Sequence, residues 1–422
     1  MVHLYRELER RERAGQIIQT GIIGTGSMGR GIAGMVQITK GMRPALLVNR
    51  NIDRAIQTYV DLGHNAADIV RSNDVKTLDD AVLQAIPAVT TDAEAACAVP
   101  SLEAIVECTG TVEYAARVSL AAIAAKKHLI VMNAEMDSTV GCILAAKARE
   151  QGVVYSYADG DQPGVMMRLI EWVKGTGFEI VAAVNCKGYL NTRATPDDIR
   201  HYAERMKTSE AMVCNFTDGT KMNMENACVA NGTGLIPEKR GMHGVTTNLK
   251  NCLADFDHAL KGRGVVDYTL GGDFGGGILV IGRSENYDFV GHYLDYLKMG
   301  PGPNFLFFRP YHLCHVETPT TIGEAVVYNE ATLTPLGAPV TEVLAMAKRD
   351  LKPGDMLDGI GGFTCYGEID TVANSAGLLS MGLAENVRIT APVKQGDPIP
   401  ISAVDLDSQN LIVRLRDEQS RM

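Results

Sequence analysis

The sequence lacks a long apolar run and lacks the pattern of an export signal. No stretch of its 422 residues approaches the roughly 18 apolar residues that a membrane-spanning helix needs. The first 16 residues are highly charged and have no apolar centre, so we expect no signal peptide there. These two absences predict a protein that neither spans a membrane nor is exported.

Paired cysteines and an excess of positive charge are also missing. The nine cysteines are scattered, odd in number and nowhere spaced Cys-x-x-Cys, so we expect reduced thiols in a cytoplasmic protein. A net charge of −10 argues against nucleic acid as a partner. With 46% apolar and 21% charged residues, the composition is that of a globular protein with room for two or three domains.

A glycine pattern near the N-terminus is the most informative motif. Gly24, Gly26 and Gly29 form a Gly-x-Gly-x-x-Gly between the apolar run 21–23 and helix-compatible residues. In a dinucleotide-binding turn, these glycines allow a tight turn, close approach of a pyrophosphate, and close packing of helix on strand. We predict a dinucleotide whose pyrophosphate binds at the N-terminus of that helix. The alternative is an ordinary glycine-rich turn.

The residues after the next predicted strand select the cofactor. Residues 45–48 are apolar, and Asn49 and Arg50 follow where an NAD site usually has a carboxylate. A carboxylate would repel a 2′-phosphate, whereas a guanidinium can donate paired hydrogen bonds to it. This difference predicts NADP(H) rather than NAD(H). The alternative is that Arg50 only caps a surface loop.

Two further predicted strands, 101–110 and 128–135, end in polar or glycine residues. In a doubly wound parallel sheet, such strand ends surround the cofactor, so we predict a Rossmann domain over residues 1–157. The predicted cofactor contacts are Gly24, Thr25, Gly26, Ser27, Met28, Gly29, Asn49, Arg50, Thr109, Gly110 and Asn133.

Charged residues at later strand and helix ends are the predicted catalytic groups. Asp159 and Asp161 follow a strand directly, where carboxylates suit proton transfer or a divalent ion such as Mg²⁺ or Mn²⁺. Lys187, Lys207 and Lys221 are the predicted electrophilic or phosphate contacts. The alternative for each is a solvated or turn residue.

The predicted substrate contacts are threonines and histidines. Thr217 and Thr220 precede a predicted helix, whose N-terminus favours an anion, although Thr220 could serve only as an N-cap. His312, His315 and Glu317 lie close in sequence. They lack the helical His-x-x-x-His spacing, so we favour substrate hydrogen bonds or packing over a metal cluster.

Three segments resemble the homoserine dehydrogenase family: the glycine motif, Glu107-Cys108-Thr109-Gly110, and the Lys-His-Leu-Ile-Val-Met-Asn-Ala of residues 127–134. The tail carries Lys-x-Gly-Asp turns at 352–355 and 394–397. It resembles the SAF domain, a small β-clip module. The combination resembles the 1-deoxy-D-xylulose 5-phosphate reductoisomerase-like oxidoreductases over nearly the whole chain.

The resemblance implies NADPH-dependent rearrangement of a small phosphorylated hydroxy-ketone to an aldehyde, followed by hydride transfer. It divides the chain into a Rossmann domain (1–157), an α+β substrate and oligomerisation domain (158–341), and a small β-rich SAF-like domain (342–422). We also expect a homo-oligomer. The alternatives are a homoserine or sugar-acid dehydrogenase without isomerisation, and a non-catalytic NADP(H)-binding regulator.

Overall fold

A computed structural model describes residues 2–206, 208–257, 264–272, 274–284 and 287–422. The chain forms two compact units. Unit 1 comprises Met1–Gly164 and Leu313–Thr334, and unit 2 comprises Val165–His312 and Pro335–Met422. Among the helices that the structure describes, none has both the length and the apolar character needed to cross a membrane.

Helices and strands alternate through the first part of the chain. In order they are α1 (Val2–Arg13), β1 (Ile18–Ile23), α2 (Ser27–Ile38), β2 (Met42–Val48), α3 (Ile52–Asp61), β3 (Val70–Arg71), α4 (Val75–Leu83), β4 (Ala88–Thr90), α5 (Ala93–Ala98), β5 (Ala104–Glu107), α6 (Glu113–Ala124), β6 (His128–Val131), α7 (Ala134–Gln151), β7 (Tyr155–Tyr157) and α8 (Gln162–Gly175).

The remaining elements of the chain end in a region of mostly short strands. The elements are β8 (Glu179–Lys187), α9 (Pro196–Met206), α10 (Glu210–Thr217), α11 (Thr220–Thr233), β9 (Val245–Thr246), α12 (Cys252–Asp255), β10 (Val265–Leu270), β11 (Ile278–Arg283), α13 (Tyr287–Tyr296), β12 (Asn304–Arg309), α14 (Cys314–Tyr328), β13 (Thr341–Ala347), β14 (Met356–Asp358), β15 (Cys365–Thr371), β16 (Glu385–Ile389), β17 (Val404–Asp405) and α15 (Leu411–Gln419).

Unit 1 contains a seven-stranded parallel sheet with the order β3-β4-β2-β1-β5-β6-β7. The strands are short apolar runs, as expected of strands covered on both faces. Strands β2, β3 and β4 lie on one side of β1, and strands β5, β6 and β7 lie on its other side. This reversal of strand order opens a crevice beyond the carboxyl ends of β1 and β5. The predicted Rossmann fold is confirmed.

Side chains from the sheet and from helices α1, α2 and α14 form one apolar core in unit 1. Leu4 and Leu8 of α1, Val36 of α2 and Ile322 of α14 are at most 1% exposed and belong to the same cluster as the strand residues. Helix α14 therefore completes this core, although it lies far from the sheet in sequence.

Unit 2 contains a five-stranded mixed sheet, β12-β11-β8-β10-β9, in which β8, β10 and β9 are parallel. Two smaller antiparallel sheets, β13-β15 and β14-β16-β17, follow. Helix α11 holds the β13-β15 sheet: Asn223 Oδ1 accepts a hydrogen bond from the Ile369 amide, and Asn231 Oδ1 accepts from the Val340 and Thr341 amides. The predicted α+β and β-rich parts are both present. The boundary at residue 342 and the SAF identity stay predictions.

Candidate active site

A cleft of about 480 Å³ lies in unit 1 beyond the carboxyl ends of β1, β2 and β5. Its position is the switch point of the sheet, where dinucleotides bind in folds of this type. The lining residues are Ile23, Gly24, Gly26, Val48, Asn49, Arg50, Arg54, Thr91, Cys108, Thr109, Thr111 and Tyr114.

Each of the three glycines of the motif is required for a different structural reason. Gly24 has φ +98°, which L side chains rarely adopt, and a Cβ there would lie 3.0 Å from the Cys108 carbonyl oxygen. A Cβ on Gly26 would meet nothing within 4 Å, so the N-cap of α2 is open toward the cleft. A Cβ on Gly29 would lie 1.7 Å from the Gly24 carbonyl oxygen. The first and third glycines build the turn, and the second leaves space for an anion. The adjoining predicted contacts Ser27 and Met28 form the first turn of α2.

Two arginines line the edge of the cleft. Asn49 Nδ2 donates to Thr25 Oγ1 at 2.8 Å, and its Oδ1 accepts from the Asn51 amide at 2.9 Å. Asn49 therefore fixes the loop. Arg50 and Arg54 are exposed, and neither guanidinium has a partner among the described residues. Sequence reasoning missed Arg54, although its spacing of four residues from Arg50 was a signal.

A buried carboxylate holds the loop that lines the other side of the cleft. Glu107 is fully buried, and burial raises the pKa of its carboxyl to about 7. Its Oε1 accepts hydrogen bonds from the Thr109 amide at 2.8 Å and from the Thr109 hydroxyl, and its Oε2 accepts from Asn133 Nδ2 at 3.0 Å. Gly110 follows with φ +72°, so the loop turns sharply away from β5. Glu107 was part of the recognised motif but was not predicted as a site residue.

The side chain of Asn133, a predicted cofactor contact, lies inside the protein, and the contact with the cofactor stays a prediction. Asn133 is fully buried, and its Nδ2 also donates to the Thr111 carbonyl oxygen at 2.9 Å. Its Oδ1 accepts from the Met136 amide at 3.0 Å and so caps α7. The side chain is used inside the protein, where it joins α7 to the loop at the cleft.

In unit 2, the strand end at Lys187 forms a polar cluster with α11. Lys187 Nζ lies 3.3 Å from Glu225 Oε2, and Asn185 Nδ2 donates to the same oxygen at 2.9 Å. The side chains of Lys187 and Glu225 are 21% and 5% exposed. Lys221 lies four residues before Glu225 on α11, a spacing that puts both on one helix face. This cluster combines a cation, which can bind a developing negative charge, with a carboxylate, which can accept a proton. Glu225 was missed, and its spacing from Lys221 was the available signal.

Asp159 and Asp161 are buried in unit 1, and both carboxylates accept hydrogen bonds from other groups of that unit. Asp159 Oδ1 accepts from the Gly160 amide at 2.9 Å. Asp161 Oδ2 accepts from the Tyr157 hydroxyl at 2.6 Å, and its Oδ1 accepts from Cys314 Sγ at 3.6 Å. Two buried carboxylates after a strand can serve proton transfer. Binding of a divalent ion stays a prediction.

Residues 160–318 match the family described as "Oxidoreductase DRL, catalytic domain". The matched segment contains Asp161, Lys187, Lys221 and Glu225. It follows the dinucleotide-binding sheet directly. Over residues 160–318, the chain is similar to the catalytic domain of an oxidoreductase.

Solved structures with a similar fold include two dehydrogenases. A probable dehydrogenase from Thermotoga maritima is 12% identical, with 76% of this chain and 91% of that chain covered and a TM-score of 0.44. A homoserine dehydrogenase from Thiobacillus denitrificans is 15% identical, with 80% and 83% covered and a TM-score of 0.45. A comparison with curated proteins gives no match.

The hydroxyls of Thr217 and Thr220 have partners inside the protein, and the predicted anion site at the start of α11 stays a prediction. The N-cap of α11 is Gly219, with φ +85°, and not a threonine. Thr220 is fully buried, and its Oγ1 accepts a hydrogen bond from the Gly367 amide of β15 at 2.8 Å. Thr217 ends the preceding helix, α10, and its hydroxyl donates to the Val213 carbonyl oxygen at 2.8 Å. Both hydroxyls hold protein structure.

The predicted histidine cluster is divided between the two units. His312 belongs to unit 2, where its Nδ1–H donates to the Gly276 carbonyl oxygen at 2.6 Å. His315 belongs to unit 1, where its ring packs on Gly31, and its buried Nδ1 has no hydrogen-bond partner in the described part of the chain. Their roles in substrate binding stay predictions. Lys207 lies outside the described residues.

Proposed function

We propose that the protein is an NADPH-dependent reductoisomerase that acts on a small phosphorylated hydroxy-ketone of the 1-deoxy-D-xylulose 5-phosphate type. The observation that carries the choice of cofactor is the pair of exposed arginines, Arg50 and Arg54, at the edge of a dinucleotide cleft. Neither has a carboxylate partner among the described residues.

The residues of the cleft fit NADPH in three parts. The pyrophosphate would bind at the N-terminus of α2, where Gly26 leaves open space and the backbone N–H groups point outward. Arg50 and Arg54 would hold the 2′-phosphate by charge-assisted hydrogen bonds. Thr109 and Gly110 would border the rest of the cofactor on the loop that Glu107 holds. When bound, NADPH supplies the hydride.

The substrate part of the proposal rests on polar groups within the segment that matches the catalytic domain and on Asp159, directly before it. Lys221 lies in the first turn of α11, where a lysine and the helix N-terminus both favour a phosphate. Lys187 supplies a cation for a carbonyl oxygen. Asp159 and Asp161 serve proton transfer or a divalent ion such as Mg²⁺ or Mn²⁺. A homo-oligomer in the cytoplasm is part of the same proposal.

The test combines cofactor titration with a substrate panel. NADPH and NADH are titrated by fluorescence, and NADPH oxidation is followed with 1-deoxy-D-xylulose 5-phosphate and other phosphorylated ketoses. We expect tighter binding of NADPH and a rearranged, reduced product. NADP⁺-dependent oxidation of homoserine or of a sugar acid without rearrangement would instead identify a plain dehydrogenase. NADPH binding without turnover of any panel compound would indicate a regulator.

A further inference from the structure

We infer that Glu225 is a catalytic base that takes the hydroxyl proton of an α-hydroxy-ketone while Lys187 binds the adjacent carbonyl oxygen. This inference rests on the proposed function and gives its isomerising step two named groups. Glu225 lies on α11 and Lys187 at the end of β8, and both belong to unit 2.

The two oxygens of Glu225 have different surroundings. Oε2 receives two donors, Lys187 Nζ at 3.3 Å and Asn185 Nδ2 at 2.9 Å, and these contacts fix the plane of the carboxylate. No residue in the described ranges donates to Oε1. The side chain keeps 5% of its surface accessible. Oε1 is therefore the atom that remains to accept a proton from a bound molecule.

Asn185 shows that the cluster is not complete by itself. Asn185 is 2% exposed, and its carbonyl oxygen Oδ1 is buried without a hydrogen-bond partner in the described part of the chain. Buried polar groups in folded proteins are nearly always paired, so an unpaired oxygen beside a lysine and a carboxylate is unusual for a purely structural ion pair. This unpaired oxygen is the second observation that points to a ligand at the cluster.

The donors and acceptors of the cluster match an α-hydroxy-ketone. Such a molecule has a hydrogen-bond acceptor, the carbonyl oxygen, and a donor, the hydroxyl, on adjacent carbons. Lys187 can only donate, and an ionised Glu225 can only accept. Because the two side chains already lie within 3.3 Å of each other, neighbouring groups of one small substrate can reach both.

The reaction step balances without a further reagent. The hydroxyl O–H bond breaks, and the proton passes to Glu225 Oε1. The electron pair left on that oxygen forms a new C=O bond to the hydroxyl carbon. At the same time, the substituent carbon on the other side of the hydroxyl carbon migrates, with its bonding electron pair, to the former carbonyl carbon. The negative charge that appears on the former carbonyl oxygen lies beside Lys187 Nζ, which donates a proton to it. The product is an aldehyde, which a hydride can reduce.

The first experiment measures occupancy and needs no turnover. Lys187 is labelled with acetic anhydride and quantified by peptide mass spectrometry, with the exposed Lys174 of α8 as internal control. Labelling is compared in the presence of three different probes, each at millimolar concentration. Dihydroxyacetone phosphate has a carbonyl and a free α-hydroxyl, hydroxyacetone phosphate has the carbonyl alone, and glycerol 3-phosphate has no carbonyl.

We expect dihydroxyacetone phosphate to protect Lys187 most, hydroxyacetone phosphate less and glycerol 3-phosphate least, with Lys174 unaffected. In Glu225→Met, which removes both oxygens, the two ketones should protect equally. Equal protection by glycerol 3-phosphate would show that Lys187 binds phosphate, and absence of protection by every probe would show that no substrate binds there. Either result overturns the inference.

The second experiment uses Glu225→Gln, which keeps the size of the side chain but removes the base. Turnover of 1-deoxy-D-xylulose 5-phosphate should fall by about 100-fold or more, as expected for loss of a general base. KM and NADPH affinity should change little, because the amide keeps the size of the side chain. Unchanged turnover with a lower melting temperature would identify a structural ion pair and overturn the assignment. Loss of NADPH preference in the wild type would instead refute the proposed cofactor, while the labelling result would keep its meaning.

Discussion

A Cβ on Gly29 would lie 1.7 Å from the carbonyl oxygen of Gly24, whereas a Cβ on Gly26 would meet no atom within 4 Å. The contact between Gly24 and Gly29 is the point at which α2 crosses the turn after β1. A side chain at Gly29 should therefore disturb the fold, whereas a side chain at Gly26 should disturb mainly cofactor binding.

Gly29→Ala should destabilise unit 1 by about 1–3 kcal/mol, because the methyl group must displace backbone. Thermal unfolding measures this loss. Gly34→Ala on the same helix is the matched control, since its Cβ would lie 3.5 Å from Leu62 in ordinary contact. It should raise stability by up to about 1 kcal/mol through helix propensity. Equal melting temperatures for both variants would contradict the close packing at Gly29.

Gly26→Val should fold but bind NADPH poorly. Gly26 has φ −73°, which any residue adopts, so the cost to the fold is about 1 kcal/mol for a less suitable N-cap. The side chain would occupy the space that we assign to the pyrophosphate. Fluorescence titration should show the loss. Normal NADPH affinity in the folded variant would mean that residues 24–29 form only a structural turn.

Arg50→Ala and Arg54→Ala should each weaken NADPH binding and leave NADH binding nearly unchanged. Each removes a charge-assisted contact worth about 1.5–3 kcal/mol, or roughly 10- to 150-fold in Kd. The exposed Arg117 of α6 is the control, because it pairs with Glu113 and does not line the cleft. The idea fails if both variants keep the same ratio of NADPH to NADH affinity as the wild type.

Glu107 should make stability depend on pH. Its folded pKa of about 7 lies above the usual 4.5, so the folded state favours the protonated form. The corresponding stabilisation is fully present below pH 4.5 and is lost as the pH rises through about 7. Relative to Glu107→Gln, the wild type should therefore be more stable at pH 5 than at pH 8, by a difference on the order of 2–3 kcal/mol.

Urea unfolding of the two proteins at both pH values measures that difference. A comparison with Glu107→Gln that does not change with pH would show that the Glu107 carboxyl titrates as in the unfolded chain.

Asp161→Asn and Lys221→Ala should differ in kinetics. Asp161→Asn keeps the size of the side chain and loses the charge, so kcat should collapse while NADPH affinity stays nearly constant. Lys221→Ala should mainly raise KM, by roughly 10- to 150-fold, and less for a substrate without phosphate. If both variants turn over substrate normally, the catalytic groups lie elsewhere.

Local sequence patterns were sufficient for the dinucleotide-binding sheet. The spacing of Gly24, Gly26 and Gly29 and the apolar runs before each polar strand end depend on residues close in sequence, and parallel strands arrange such ends at one edge. The sequence also indicated Arg50, because the residue after the second strand has a fixed place in this fold.

Only the tertiary structure identified the partners of these residues. Lys187 meets Glu225 because β8 packs on α11, and Thr220 is fully buried because β15 returns to the same helix. Asn133 caps α7 and holds Glu107, although its position at a strand end predicted a cofactor contact. The pairs Asn133–Glu107, Lys187–Glu225 and Thr220–Gly367 join residues separated by 26 to 147 positions, so they depend on how elements pack and not on the local pattern.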